Sequence, residues 1–157
     1  MPRWLAVDYG QRRLGLALSD ALLITAKGLP TWDRGKTAAK ATPSQREASL
    51  LLAVEHVLSL IRQHGVERVI VGNPLSLRGE PTAMGDEAAS FTQYLRTVLS
   101  AQGLDEVVVD QFDERLTSKL AESNLVAGGK KASRDKGSID QEAARLLLLD
   151  YIAYQGG

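Results

Sequence analysis

Cysteine is absent from this 157-residue chain. That excludes a disulfide scaffold and every thiolate-based zinc or iron–sulfur site, and it fits a reducing compartment such as the cytoplasm. Histidine is nearly absent. His56 and His64 fall on one helical stretch and read as surface residues, not ligands. Aromatic residues make up 5% of the chain, too few for a broad base-stacking surface on single strands. No apolar run approaches the ~20 residues that span a bilayer, and the run after Arg3 is too short for a secretory leader, so no membrane role is expected. A charge excess is missing too, with 19 basic and 19 acidic residues. This argues against broad electrostatic coating of nucleic acid and leaves only local basic faces, at Arg12-Arg13, Arg34 to Lys40 and Lys130 to Lys136. There is no internal repeat, linker or low-complexity segment. What remains is ordinary for a soluble globular protein, 44% hydrophobic and 24% charged, of a length that suits one domain over residues 1–157.

The pattern along the chain predicts strands at 3–9, 13–19 and 22–31, forming a meander. A polar, basic loop follows at 33–43. Ser44-Gln45-Arg46-Glu47 has the form of a capping box. The helix behind it places Leu50, Val54, Val57, Leu58 and Ile61 on one face, with Gly65 as its C-terminal cap. Val66–Val71 reads as a strand covered on both faces, and 72–81 as a loop. A helix is expected from Asp86 to Gln102, a strand from Glu106 to Phe112, a short helix from Thr117 to Ala127, a basic loop at 128–137, and a last helix from Ser138 to Tyr154. The order implies an α/β fold: a mixed five-stranded sheet, with a three-strand antiparallel meander plus two parallel strands, and helices on both faces. Ligands of open α/β sheets sit beyond the carboxyl ends of parallel strands.

Three acidic positions converge on that edge. Asp8 closes the first strand and opens Asp8-Tyr9-Gly10-Gln11-Arg12-Arg13-Leu14-Gly15. Gly10 and Gly15 are expected to bracket a tight turn where the backbone takes positive φ or approaches a ligand. A carboxylate satisfying backbone N–H groups in a β-turn is the plainer reading. Asp113-Glu114-Arg115 follows the last strand. Its alternation puts the two acids on opposite faces, and Glu114 is favoured over Asp113 to face Asp8. A helix-dipole role for this pair is the alternative. Asp140 lies in Ser138-Ile139-Asp140-Gln141-Glu142, where Ser138 and Gln141 would form a capping box and leave Asp140 in the first turn. It shares a face with Ala144, Leu147 and Tyr151, so its carboxylate points toward the sheet and needs something positive to meet it. Glu142 lies on another face. Three carboxylates from distant positions hold hard cations such as Mg²⁺ or Mn²⁺ and support in-line phosphodiester chemistry without a nucleophilic side chain. The plainer reading of Arg13 is an ion pair with Asp20 or Glu114.

Four segments together carry a resemblance: Asp8-Tyr9-Gly10 with Arg13 and Gly15; Val71-Gly72-Asn73-Pro74-Leu75 with Gly79; Asp113-Glu114-Arg115-Leu116-Thr117-Ser118; and the basic loop leading to Ile139-Asp140-Gln141-Glu142-Ala143-Ala144. The chain resembles, over nearly its whole length, the YqgF/RuvX family of the RNase H-like superfamily. The basic segment at 33–43 is longer than is usual there, which bears on substrate contacts and not on the acids. The resemblance implies a metal-dependent nuclease, a hydrolase of ester bonds, with an acidic triad mapping onto Asp8, Asp113 or Glu114, and Asp140. It implies Mg²⁺ or Mn²⁺ as cofactor and nucleic acid as partner, either structured RNA in 5′-end maturation of 16S ribosomal RNA or branched DNA at a Holliday junction. A junction resolvase would need a homodimer to cut two strands symmetrically. Two other classes compete. An actin- or hexokinase-like ATPase also begins with an Asp-x-Gly hairpin, but it needs two such domains. A non-catalytic RNA-binding assembly factor would tolerate neutralised acids.

The candidate nucleic-acid contacts are Arg12, Arg13, Arg115, Lys130, Lys131, Arg134 and Lys136. Each phosphate contact releases counterions and steepens the salt dependence of affinity by about 0.7–0.9 in log–log slope. Replacing Lys130 and Lys131 together by alanine is expected to flatten that slope, measured by filter binding from low to high salt, with little change in turnover at saturation. An unchanged slope would make the loop a solvated connector and move the binding face to Arg12, Arg34 and Lys36.

Overall fold

A computed structural model describes residues 3–10, 13–33, 42–73, 83–113 and 136–155. These residues form β1 (Arg3–Tyr9), β2 (Arg13–Ser19), β3 (Ala26–Asp33), α1 (Pro43–His64), β4 (Val66–Asn73), α2 (Ala83–Ala101), β5 (Val108–Asp113) and α3 (Lys136–Tyr154). The strands make one sheet in the order β3-β2-β1-β4-β5. β1 lies at its centre, antiparallel to β2 and parallel to β4, and β5 continues the parallel half. This is the mixed sheet that the strand pattern implies.

Alternation along the strands divides the apolar residues between two cores. Leu5 and Val7 of β1, Leu14, Leu16 and Leu18 of β2, and Val69 and Val71 of β4 meet α1 and α2. The helices contribute Leu50, Val54, Val57 and Ile61 from one and Phe91 and Leu95 from the other, while Leu58 stays half-buried at the margin. On the other face Ala6, Ala17 and Ile70 meet Ala144, Leu147, Leu148 and Tyr151 of α3. β4 therefore carries Val69, Ile70 and Val71 with no exposure on either face, as its unbroken apolar run requires. Among the described residues no helix is long and apolar enough to cross a membrane.

Local chemistry moves several boundaries. β3 begins at Ala26, not near residue 22. Asp20 takes the preceding residues into a turn, its Oδ1 accepting from the N–H groups of Ile24 at 2.7 Å and Thr25 at 2.8 Å. α1 is capped by Thr42 and not Ser44. Pro43 suits the first helical position because it has no N–H to lose, and Thr42 and Gln45 bond each other's backbone N–H reciprocally. β4 takes in Gly72 and Asn73, which pair with Phe112 and Asp113. α2 starts at Ala83. α3 starts at Lys136, two residues before the expected cap, so Asp140 is its fifth residue and lies past the first turn. The expected helix at 117–127, most of the loop at 128–137 and most of the loop at 33–43 lie outside the described residues.

The far end of α3 is held by polar contacts under an aromatic cover. Tyr151 OH donates to Asp110 Oδ2 at 2.6 Å. Arg68 donates to the same oxygen at 3.0 Å and to the Tyr151 hydroxyl at 2.8 Å. Trp4 and Phe112 each meet the Tyr151 ring edge-on, and Arg68 lies over the Trp4 ring. Burial, then the bond to Asp110, raise the Tyr151 hydroxyl above its ordinary pKa, so it remains a donor at neutral pH.

Asp150, beside Tyr151, is less well placed. Its Oδ2 is buried without a hydrogen-bond partner among the described residues, and burial raises its pKa above the usual carboxylate value. A carboxyl raised on folding stabilises the fold only below its unfolded pKa, and that contribution is lost as pH rises through the folded value. Asp150→Asn is therefore expected to raise the melting temperature at pH 7 and to leave it unchanged near about pH 3. Thermal denaturation at both pH values checks this.

Candidate active site

The β1–β2 hairpin brings its flanking residues together. Gly10 N–H donates to the Arg13 carbonyl at 3.0 Å, and the register sets Asp8 opposite Gly15. Asp8 lies two residues beyond Ala6, so it shares the α3 face of the sheet. Gly15 shares that face with Ala17 for the same reason. The N-terminal part of α3 lies directly on this pair. A Cβ on Gly15 would come within 2.9 Å of the Asp140 carbonyl carbon and nearer still to its oxygen, and one on Gly28 within 2.9 Å of Gln141 Cβ. Gly15 therefore serves as the seat of α3 inside a strand and not as the edge of a turn. It sets Asp140 beside the strand pair that carries Asp8.

The charge on Asp140 is met by Arg13, whose Nε–H donates to Asp140 Oδ2 at 2.8 Å across 127 residues of sequence. Arg13 pairs here rather than with Asp20, whose carboxylate is held by its own turn, and Glu114 lies outside the described residues. Glu142 accepts two bonds from Arg145, at 3.0 and 2.6 Å.

Asp113 arrives from the parallel half, paired with Asn73 at the strand ends. Phe112 contacts Tyr151 on the α3 face, and Val109 belongs to the opposite core. Strand alternation therefore gives Asp113 the parity of the α1/α2 face. The Asn73 side chain ends in a buried Oδ1 with no hydrogen-bond partner among the described residues.

The structure thus joins Asp8, Asp140 and Arg13 at one edge and gives Asp113 the other parity. Arg12, Glu114, Arg115, Lys130, Lys131 and Arg134 lie outside the described residues, and Lys136 is described only as the helical start of α3. Among the described residues, no three acidic or histidine side chains could hold a metal ion by themselves. The acidic donors at this edge are carboxylate oxygens, which suit hard cations. His56 is half-buried and not a plain surface residue. It stacks on Trp32 with ring centroids 5.1 Å apart, and burial lowers its pKa. The seat at Gly15 is the feature that sequence reading missed. Its signal is the small-residue alternation Gly15-x-Ala17-x-Ser19 in β2.

A profile of the RuvX family, described as a Holliday junction resolvase, matches residues 2–154. A Chloroflexus aurantiacus protein named "Putative pre-16S rRNA nuclease" is 38% identical over 148 residues, covering 94% of this chain and 84% of its own length. A Halalkalibacterium halodurans protein of the same name is 32% identical over 153 residues, covering 98% of this chain and 97% of its own. Two solved structures share the fold. Thermus thermophilus RuvC in complex with Holliday junction substrate has a TM-score of 0.59 at 18% identity, covering all of this chain and 97% of its own. The yeast mitochondrial Holliday junction resolvase Ydc2 has a TM-score of 0.61 at 11% identity, covering 98% and 78%. The sheet is therefore of the RNase H-like type that the motifs imply.

The seat at Gly15 yields a test. Gly15→Ala drives a methyl group into the α3 backbone, and overpacking of this kind costs about 1–3 kcal/mol. Urea denaturation is expected to show that loss, and a structure of the variant to show α3 displaced and the Arg13–Asp140 contact lengthened.

Proposed function

We propose, for a chain that belongs to the RuvX family, that the edge carrying Asp8 and Asp140 is a divalent-metal nuclease centre acting on pre-16S ribosomal RNA. The chain is a nuclease, a hydrolase of phosphodiester bonds, as its family is. The reading of the centre is carried by one observation: Asp8 and the seat of Asp140 are cross-strand partners, which sets two carboxylates from opposite ends of the sequence on one face. The parity of β5 supports Glu114, rather than Asp113, as the third ligand. Asp8, Asp140 and Glu114 would together hold Mg²⁺ or Mn²⁺. The chemistry such ions supply when bound is neutralisation of charge on the phosphoryl group during in-line displacement.

The remaining work falls to the chain's own side chains. In the free protein Arg13 pairs with the Asp140 carboxylate, and it brings positive charge to the site. Arg12, Arg115, Lys130, Lys131, Arg134 and Lys136 would meet phosphates along the bound strand, which positions the substrate without reading its sequence. Ribosomal RNA as substrate follows the names of the relatives and puts the protein in the cytoplasm. The rival substrate is a four-way DNA junction, the activity in the family's description, and it would call for a homodimer.

Asp8→Asn and Asp140→Asn are each expected to lower divalent-dependent cleavage by about 100-fold or more while leaving the melting temperature nearly unchanged. Glu114→Gln should do the same and Asp113→Asn should not. The assay is a panel of pre-16S ribosomal RNA, four-way junctions and linear duplexes with Mg²⁺ or Mn²⁺. Near wild-type turnover by Asp8→Asn would sink the metal-centre reading, and selective junction cleavage would transfer the proposal to DNA.

A further inference from the structure

Arg13 stands between the two charges that the cleft must accommodate. Its backbone is fixed by the Gly10 hairpin bond and by its register opposite Asp33. Its partner Asp140 is fixed by the packing of α3 on Gly15. Both side chains keep access to solvent, 27% for Arg13 and 25% for Asp140, so a ligand entering the cleft reaches both. The contact with Asp140 uses the Nε–H alone, and a guanidinium has five donors. The bond takes Oδ2, one of the two Asp140 oxygens open to a cation. A guanidinium and a divalent ion also repel each other within one half-buried cleft.

We propose that Arg13 makes metal binding conditional on nucleic acid. In the free protein its guanidinium neutralises Asp140 and competes with the ion. A phosphodiester entering the cleft offers the guanidinium a two-oxygen acceptor, draws it from Asp140 and frees the carboxylate for the metal. Metal and nucleic acid then favour each other's binding by the same factor, as linkage requires. Arg13 is a positioning residue in this scheme: it acts on the metal through Asp140. The inference rests on the reading of Asp140 as a metal ligand given under the proposed function.

The test is Mn²⁺ binding to the full chain, followed by electron paramagnetic resonance without nucleic acid and then with an RNA made resistant to cleavage by 2′-O-methyl groups, which leave both non-bridging phosphate oxygens in place. Without RNA, R13Q is expected to bind Mn²⁺ at least about fivefold more tightly than the wild type. R62Q serves as the control, since Arg62 lies on α1 and donates to Gln102; it loses the same charge and should bind as the wild type does. RNA should raise wild-type Mn²⁺ affinity by about fivefold or more and that of R13Q by much less. Equal or weaker Mn²⁺ binding by R13Q, or a gain in R62Q matching that in R13Q, would overturn the proposal. If R13Q does not fold, the wild type decides: no gain in Mn²⁺ affinity on adding RNA overturns it. D140N separates the two levels. If D140N with RNA present binds Mn²⁺ as tightly as the wild type does with RNA, Asp140 is no ligand and both readings fall. If D140N binds weakly but R13Q gains nothing, only the coupling falls.

Discussion

The contact between α3 and β2 at Gly15 is the constraint from which the rest of the molecule follows. A helix normally stands off a sheet by the length of the side chains between them. Here the absence of a side chain at Gly15, and again at Gly28, lets the helix backbone settle on the strands at its N-terminal end. The small residues Ala6, Ala17 and Ala144 continue the close approach into the core behind it. Asp140 is thereby brought to the strand pair that carries Asp8, and Arg13 comes within reach of its carboxylate. The meeting of the two acids' elements is a by-product of this tight packing.

Electrostatics and packing divide the fixing of α3 between its two ends. At the cleft end the Arg13–Asp140 contact is open to solvent and cheap to rearrange, as half-exposed ion pairs are. At the far end Arg68 and Asp110 are no less open to solvent, but they interlock with Tyr151, whose ring is buried against Trp4 and Phe112, so several partners hold that end together. The helix is therefore held by one ion pair at its N-terminal end and by a network at the other. A chain with zero formal charge depends on such local placement, because it has no long-range field to gather an anionic substrate.

Much of this was legible in the sequence, for identifiable reasons. The runs Leu5–Val7 and Val69–Val71, the leucine alternation of β2 and the helical spacing of Leu50, Val54, Val57 and Ile61 report burial on a period, and burial dominates folding. The acidic positions stood out because each closes a strand or faces a sheet. Boundaries were lost where one side chain outbids the pattern. Asp20 pulls residues 21–24 into a turn, Pro43 hands the cap of α1 to Thr42, and α3 begins two residues ahead of Ser138. The pairing of Arg13 with Asp140 was out of reach, since it joins residues 127 positions apart and depends on the three-dimensional seat that Gly15 provides.

That separation has a consequence in time. The hairpin bearing Asp8 leaves the ribosome early in synthesis, and α3, which supplies Asp140 and half of the second core, leaves it last among the described elements. Domains fold as units while the chain emerges, and contacts this distant form only once the intervening chain has been made. A nascent or truncated molecule would own the first acid without the second. One half of the Arg13–Asp140 contact thus exists long before the other, and the second core closes only when α3 has been made.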